Sequence, residues 1–179
     1  MTRTTRNVMV GMAIAIGTAG IPRAEAADRE LGTAAPDLLR IRTHTPVVAT
    51  LIQEATERSA TFRALVETID ASDGIVYVSD GDCGHGVRAC LVEVFAAGPN
   101  RILRVKVDIR RVSWDLMGSI GHELRHVIEV LGEPTVTSSA AMYFFYERTG
   151  RHGTKSSFET EAAVEAGNPV RSEVRRSAL

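Results

Sequence analysis

Three residues in the middle of the chain carry the types and spacing that chemistry requires: His122, Glu123 and His126, within His122-Glu123-Leu124-Arg125-His126. Residues four apart on a helix lie one turn apart on the same face, so both imidazoles can reach a single tetrahedral metal ion. Glu123 then sits about 100° round the helix, beside the metal and not under it, where a carboxylate can take a proton from an activated water. Zinc suits two imidazoles, and a catalytic zinc lowers the pKa of its water toward ~7 while polarising a carbonyl. The expectation is one Zn2+ ion at His122 and His126, with Glu123 as general base. The plain alternative is a pair of surface histidines.

The helix bearing these residues is predicted from about Ser113 to Leu131, ending at Gly132 with Pro134 just beyond. On a helical wheel Leu116, Ile120, Leu124, Val127, Ile128 and Leu131 gather opposite the two histidines. One face can therefore enter a core while the other presents imidazoles to a cleft. Gly121, just before the motif, lets another segment approach closely.

Around this helix the pattern predicts an α+β domain. A long helix is expected from Pro46 to about Ile69, with Val48, Leu51, Ile52, Ala55, Phe62, Leu65, Val66 and Ile69 at helical spacing. Three strands follow, Ile75 to Ser79, Cys90 to Phe95 and Leu103 to Ile109, forming a small mixed or antiparallel sheet. After the motif helix come a helix from Ser138 to about Arg148 and a last one from about Phe158 toward Ser177, with an interruption expected at Gly167-Asn168-Pro169.

The first 26 residues are expected to be a signal peptide. Arg3 and Arg6 precede an apolar run from Val8 to Ile21, and Ala24-Glu25-Ala26 is a small-x-small cleavage pattern. Residues 27–179 would then form one exported domain, periplasmic or extracellular, with no stable membrane insertion after cleavage; the alternative is an N-terminal anchor. Export favours a disulfide between the two cysteines, Cys83 and Cys90. A metal site of Cys83, His85 and Cys90 is the other reading, but it lacks the repeated paired spacing of structural zinc modules. A net charge of −1 with no local basic patch argues against a nucleic-acid partner.

The five-residue motif, the sheet before it and the helices after it resemble the HExxH zinc metallopeptidases and their zincin fold. That resemblance implies hydrolysis of a peptide or protein substrate, and a motif helix packed under a sheet whose edge strand pairs with extended substrate. Leu103 to Ile109 is the candidate edge. The metzincin pattern is not met, because Glu129 and Gly132 stand where it needs a glycine and a ligand. A gluzincin-like site takes its third ligand from a glutamate on a later helix, and Glu159 is the expected residue. It falls among Phe158, Ala162, Ala163 and Ala166 on the apolar side of the last helix, whereas Glu161 and Glu165 lie outside that sector. The alternative for Glu159 is an ion pair with Arg125. Glu129 is expected either to stand behind a ligand or to face solvent, and Tyr143, Tyr146 and His152 are available to stabilise an oxyanion. Two other functions stay open: a catalytically silent zinc-binding or partner-binding domain, and a zinc hydrolase of a non-peptide amide or ester.

Overall fold

A computed structural model describes residues 40–84, 86–152 (for His152 the backbone only) and 158–177. The expected signal peptide, the lead-in after it, His85 and the His152 side chain lie outside the described residues. The architecture is α+β: a small mixed sheet with helices packed against it.

The chain enters through a short strand β1 (Ile41–Arg42) and then forms α1 (Pro46–Arg58) and α2 (Ala60–Asp70). These two replace the single long helix expected over this stretch. Ser59 breaks it: the residue is extended, and its hydroxyl accepts the Phe62 amide as the N-cap of α2. The same hydroxyl donates to Glu173, which also accepts from the Thr61 amide and hydroxyl. The hydrophobic period runs through the break because both helices bury their apolar residues in one core. The partner that fixes the break is more than a hundred residues away and leaves no local signal.

Strands β2 (Gly74–Asp80), β3 (Ala89–Ala97) and β4 (Asn100–Val107) complete a four-stranded sheet of order β1-β2-β4-β3. The pairings β1/β2 and β2/β4 are parallel, and β3/β4 is antiparallel. This corrects the expected edge. The third strand occupies the interior, between β2 and β3, and β3 is the edge strand. A tight turn at Gly98, which holds φ +60°, folds β3 and β4 into a hairpin. Pairing β4 with β2 then leaves β3 outside. Along β4, Arg101, Leu103, Val105 and Val107 are buried while Arg104 and Lys106 face water, the alternation that its sequence predicts.

Helix α3 (Trp114–Gly132) carries the motif and packs against β3, β4 and α2. Leu116, Ile120, Leu124 and Val127 are fully buried, with Ile128 and Leu131 partly so. Its C-terminus is held by Arg101, whose guanidinium donates to the carbonyls of Val130, Leu131 and Glu133 at 2.7–2.9 Å and pairs with both oxygens of Asp73. These carbonyls lie in the last turn of the helix and at its C-cap, where the internal ladder runs out.

After α4 (Ser139–Thr149), two short strands β5 (Arg151–His152) and β6 (Phe158–Glu159) pair antiparallel, and α5 (Glu161–Arg176) closes the fold. Two expectations fail here. Helix α5 runs unbroken through Pro169, and it starts after Glu159, because Thr160 caps it by accepting the Ala163 amide. Helix α5 lies along α3, its principal neighbour, and glycines set the approach. A Cβ on Gly167 would come within 3.0 Å of the Gly118 carbonyl and of the His122 Cβ, and one on Gly121 within 2.9 Å of Val170.

Candidate metal centre

His122 and His126 lie on one face of α3, as their spacing requires, and Glu159 reaches them from β6. His126 Nε2 is 3.1 Å from His122 Nε2, and His122 Nε2 is 3.3 Å from Glu159 Oε2. One donor atom from each of the three falls within 4.8 Å of the others, so His122, His126 and Glu159 form a group that can hold a metal ion. Glu159 is the residue expected from sequence, though not on the expected helix face. It sits on an extended dipeptide one residue before the helix cap, and the wheel argument that singled it out does not describe its geometry. Glu161 is exposed and pairs with Arg151, and Glu165 is exposed on α5. Arg125 lies beside Glu129 at 3.8 Å, so the ion pair set against a ligand role for Glu159 is made elsewhere.

Of the two positions open to Glu129, the structure shows the one behind the histidines. Its carboxylate accepts from His126 Nδ1 at 2.9 Å and from the Thr160 hydroxyl at 2.7 Å. A carboxylate only accepts, so the proton of a neutral His126 belongs on Nδ1 and the lone pair on Nε2, directed at the His122–Glu159 pair. Thr160 thereby does two things: it caps α5 and ties the residue next to Glu159 to the back of His126. Burial pushes Glu129 upward, but the His126 and Thr160 hydrogen bonds outweigh it and hold the carboxyl below its ordinary range. His122 is opposed by burial, yet the Glu159 hydrogen bond and the surrounding carboxylates raise its pKa; Glu159 is lowered, first by its bond to His122.

Glu123 is buried, and its Oε2 accepts the Leu91 amide of β3 at 2.7 Å. Burial raises its pKa, against the pull of the two histidines and of that amide. The contact joins the general-base candidate to the edge strand at a β-bulge, where the register shifts between Leu91 and Glu93. Sequence patterning gives no sign of it, since the donor is a backbone amide brought in by tertiary packing.

A cavity of about 430 Å³ opens over Glu123, His126 and Glu159. Leu91, Val92, Met142, Tyr143 and Phe158 contribute apolar wall, and Ser139 also lines it. The disulfide expected from the cysteine pair is present, with Cα atoms 5.9 Å apart, and it borders this cavity. Its formation removes Cys83 and Cys90 as metal ligands. Tyr146 does not serve the oxyanion role considered for it: its buried hydroxyl donates to the His126 carbonyl at 3.0 Å and lies 3.4 Å from Glu129. Burial, first of all, raises its pKa far above the phenol range. Tyr143 is half exposed on the cavity wall, and a hydrogen bond with Glu147 raises its pKa. Among the described residues no helix is long and apolar enough to cross a membrane.

In comparisons with protein families, with curated proteins and with solved structures, nothing matches this chain.

Proposed function

We propose that the chain is an exported zinc-dependent hydrolase of peptide bonds, with zinc held by His122, His126 and Glu159. The observation that carries this reading is the spacing of the donor atoms. Ligands about 2.0–2.1 Å from a tetrahedral zinc stand about 3.3 Å apart. The two close pairs here are 3.1 and 3.3 Å. Two imidazoles and one carboxylate are a donor set that zinc accepts in hydrolases while keeping a fourth position open. When bound, zinc supplies Lewis acidity toward a carbonyl oxygen and makes water a stronger acid.

The remaining work falls to the chain's own residues. Glu123, lifted above its ordinary range by burial, accepts a proton from the attacking water and delivers it to the departing nitrogen. Water adds to the carbonyl, the C–N bond breaks, and an acid and an amine leave. Leu91 N–H fixes one oxygen of Glu123, and Glu129 fixes the tautomer and ring plane of His126. The Cys83–Cys90 disulfide supports export, since such bonds persist in oxidising compartments. One observation favours a silent metal-binding domain instead: Glu123 is already engaged by a backbone amide.

Elemental analysis of purified protein should find about one zinc per chain, lost in His122→Ala and in Glu159→Ala and kept in Glu161→Ala. Metal-free wild-type protein after zinc loading would remove the site. Glu123→Gln should keep the zinc and lose peptide hydrolysis by about 10²–10⁴-fold, the usual worth of a general base. Zinc retained with no hydrolysis in either protein would favour the silent domain.

A further inference from the structure

The edge strand of the candidate site is partly taken up by the chain itself. Outward-pointing backbone groups alternate along an antiparallel edge, and three outward amides of β3 have identified partners. Leu91 N donates to Glu123 at 2.7 Å, Val94 N to the Ser139 hydroxyl at 3.3 Å, and Ala96 N to the Thr137 carbonyl at 3.1 Å. Phe95 and Ser138 form an antiparallel bridge between the last two. The chain's own segment 137–139 therefore already lies on the second half of this edge as an extra, very short antiparallel strand. Immediately after it the chain turns into α4, whose first residue, Ser139, lines the cavity.

Resting on the peptidase reading above, we propose that this segment is a stop, and that the site acts at the N-terminal end of peptides. An extended peptide seated beside Ala89 to Val92, where Glu123 already holds the Leu91 N–H, continues the line that segment 137–139 has begun and takes the same antiparallel direction. Its N-terminus then points toward Val94 and meets Ser139. The reacting bond lies by Glu123, which marks the level of Leu91. From Leu91 to Val94 the strand advances roughly 10 Å, less what the bulge at Val92 takes up, and an extended chain rises ~3.4 Å per residue. About two residues fit between the reacting bond and the stop. On the other side the substrate would leave past Ala89.

The test uses the zinc-loaded protein and a decapeptide containing leucine and phenylalanine, with a free N-terminus or with a biotinyl-aminohexanoyl cap. Mass spectrometry of the free peptide should show removal of one or two residues at a time from the N-terminus. The cap should slow cleavage at least tenfold. Internal cuts four or more residues from the N-terminus, at equal rates in both peptides, would overturn the stop while leaving the peptidase reading intact. If neither peptide is cut, the peptidase reading fails and the track is read by binding to the ¹⁵N-labelled protein. The free decapeptide at millimolar concentration should shift the amides of Ala89 to Val92 several-fold more than the capped one. Equal shifts from both, or none from either, would overturn the inference.

Discussion

Helix α3 bears two part-buried polar clusters, built on opposite logic. At its C-terminal end one guanidinium meets a ring of acceptors: two helix carbonyls, that of the C-cap Glu133 and both oxygens of Asp73 lie within hydrogen-bond distance of Arg101. Donors face acceptors and the cluster is complete in itself. Two turns earlier, three groups able to offer lone pairs crowd together, and the proton among them lies on the His122 Nε2 bonded to Glu159. The Nε2 lone pair that Glu129 imposes on His126, the Nε2 of His122 and the Glu159 carboxylate converge on one small region. A cluster of the first kind holds a fold together. The second kind gathers electron pairs that a cation would satisfy, and its neighbours are arranged to keep it so. Burial alone does not tell them apart; the sign of what faces what does.

The strongest way to break this comparison is to disable each cluster in turn in metal-free protein. Arg101→Met leaves helix carbonyls and the Asp73 carboxylate without their donor inside the molecule. Leaving a buried acceptor without its donor costs about 1–3 kcal/mol, and the loss should appear in denaturant unfolding with or without zinc. His122→Ala removes no group that the apo fold depends on, so its metal-free stability should stay within about 1 kcal/mol of wild type. The addition of zinc should then stabilise the wild type and leave the variant unchanged. Comparable destabilisation of both metal-free variants would mean that the histidine cluster is structural.

A sharper version asks whether the second cluster is ordered for a ligand. Glu129→Gln keeps the shape of the side chain but replaces an ionised acceptor with an amide. His126 loses the partner that fixes its tautomer, and Thr160 loses the carboxylate that ties it to the site. Loss of such supporting partners typically costs 10–100-fold in metal affinity. Competition with a zinc chelator should show a shift of that size, with one zinc still bound at saturation. An unchanged affinity would make Glu129 a bystander.

How much of this was readable beforehand follows from the range of the forces involved. The motif helix and its buried face were legible, because four-residue spacing and hydrophobic period are local properties and Leu116, Ile120, Leu124 and Val127 obey them. So were the strands of the hairpin and the disulfide. The break at Ser59 was not, since Glu173 supplies half of its bonding from the last helix. The edge strand was misassigned because strand order depends on which pairs form, and alternation along β4 is equally compatible with a centre or an edge whose second face is wet. Glu159 was named through a helix that begins two residues later. What placed it at the histidines is Thr160, capping α5 and bonded to Glu129, together with the glycine contact between Gly167 and Gly118 that draws α5 close to α3. Small residues and a hydroxyl carry weak pattern signals, yet here they set the geometry.

The smallest expected effect separates the clusters by acid. The Arg101 hydrogen bond, chiefly, holds Asp73 below the usual carboxylate range in the folded protein. A carboxyl whose folded pKa lies below its unfolded one adds stability that is fully present above the unfolded value, near ~3.9, and disappears as pH falls through the folded value. The increment is modest, because the Asp73 side chain is 43% exposed and solvent screens its charge. Between pH 7 and pH 5 the Asp73–Arg101 pair should therefore contribute a constant amount, with a decline only below about pH 4. Asp73→Asn should flatten that low-pH part of the stability curve and leave zinc stoichiometry at neutral pH unchanged. Denaturant midpoints of the metal-free protein from pH 3 to pH 7 measure the first, and elemental analysis the second. A variant whose midpoint falls as steeply below pH 4 as the wild type's would show that Asp73 does not set the acid limb.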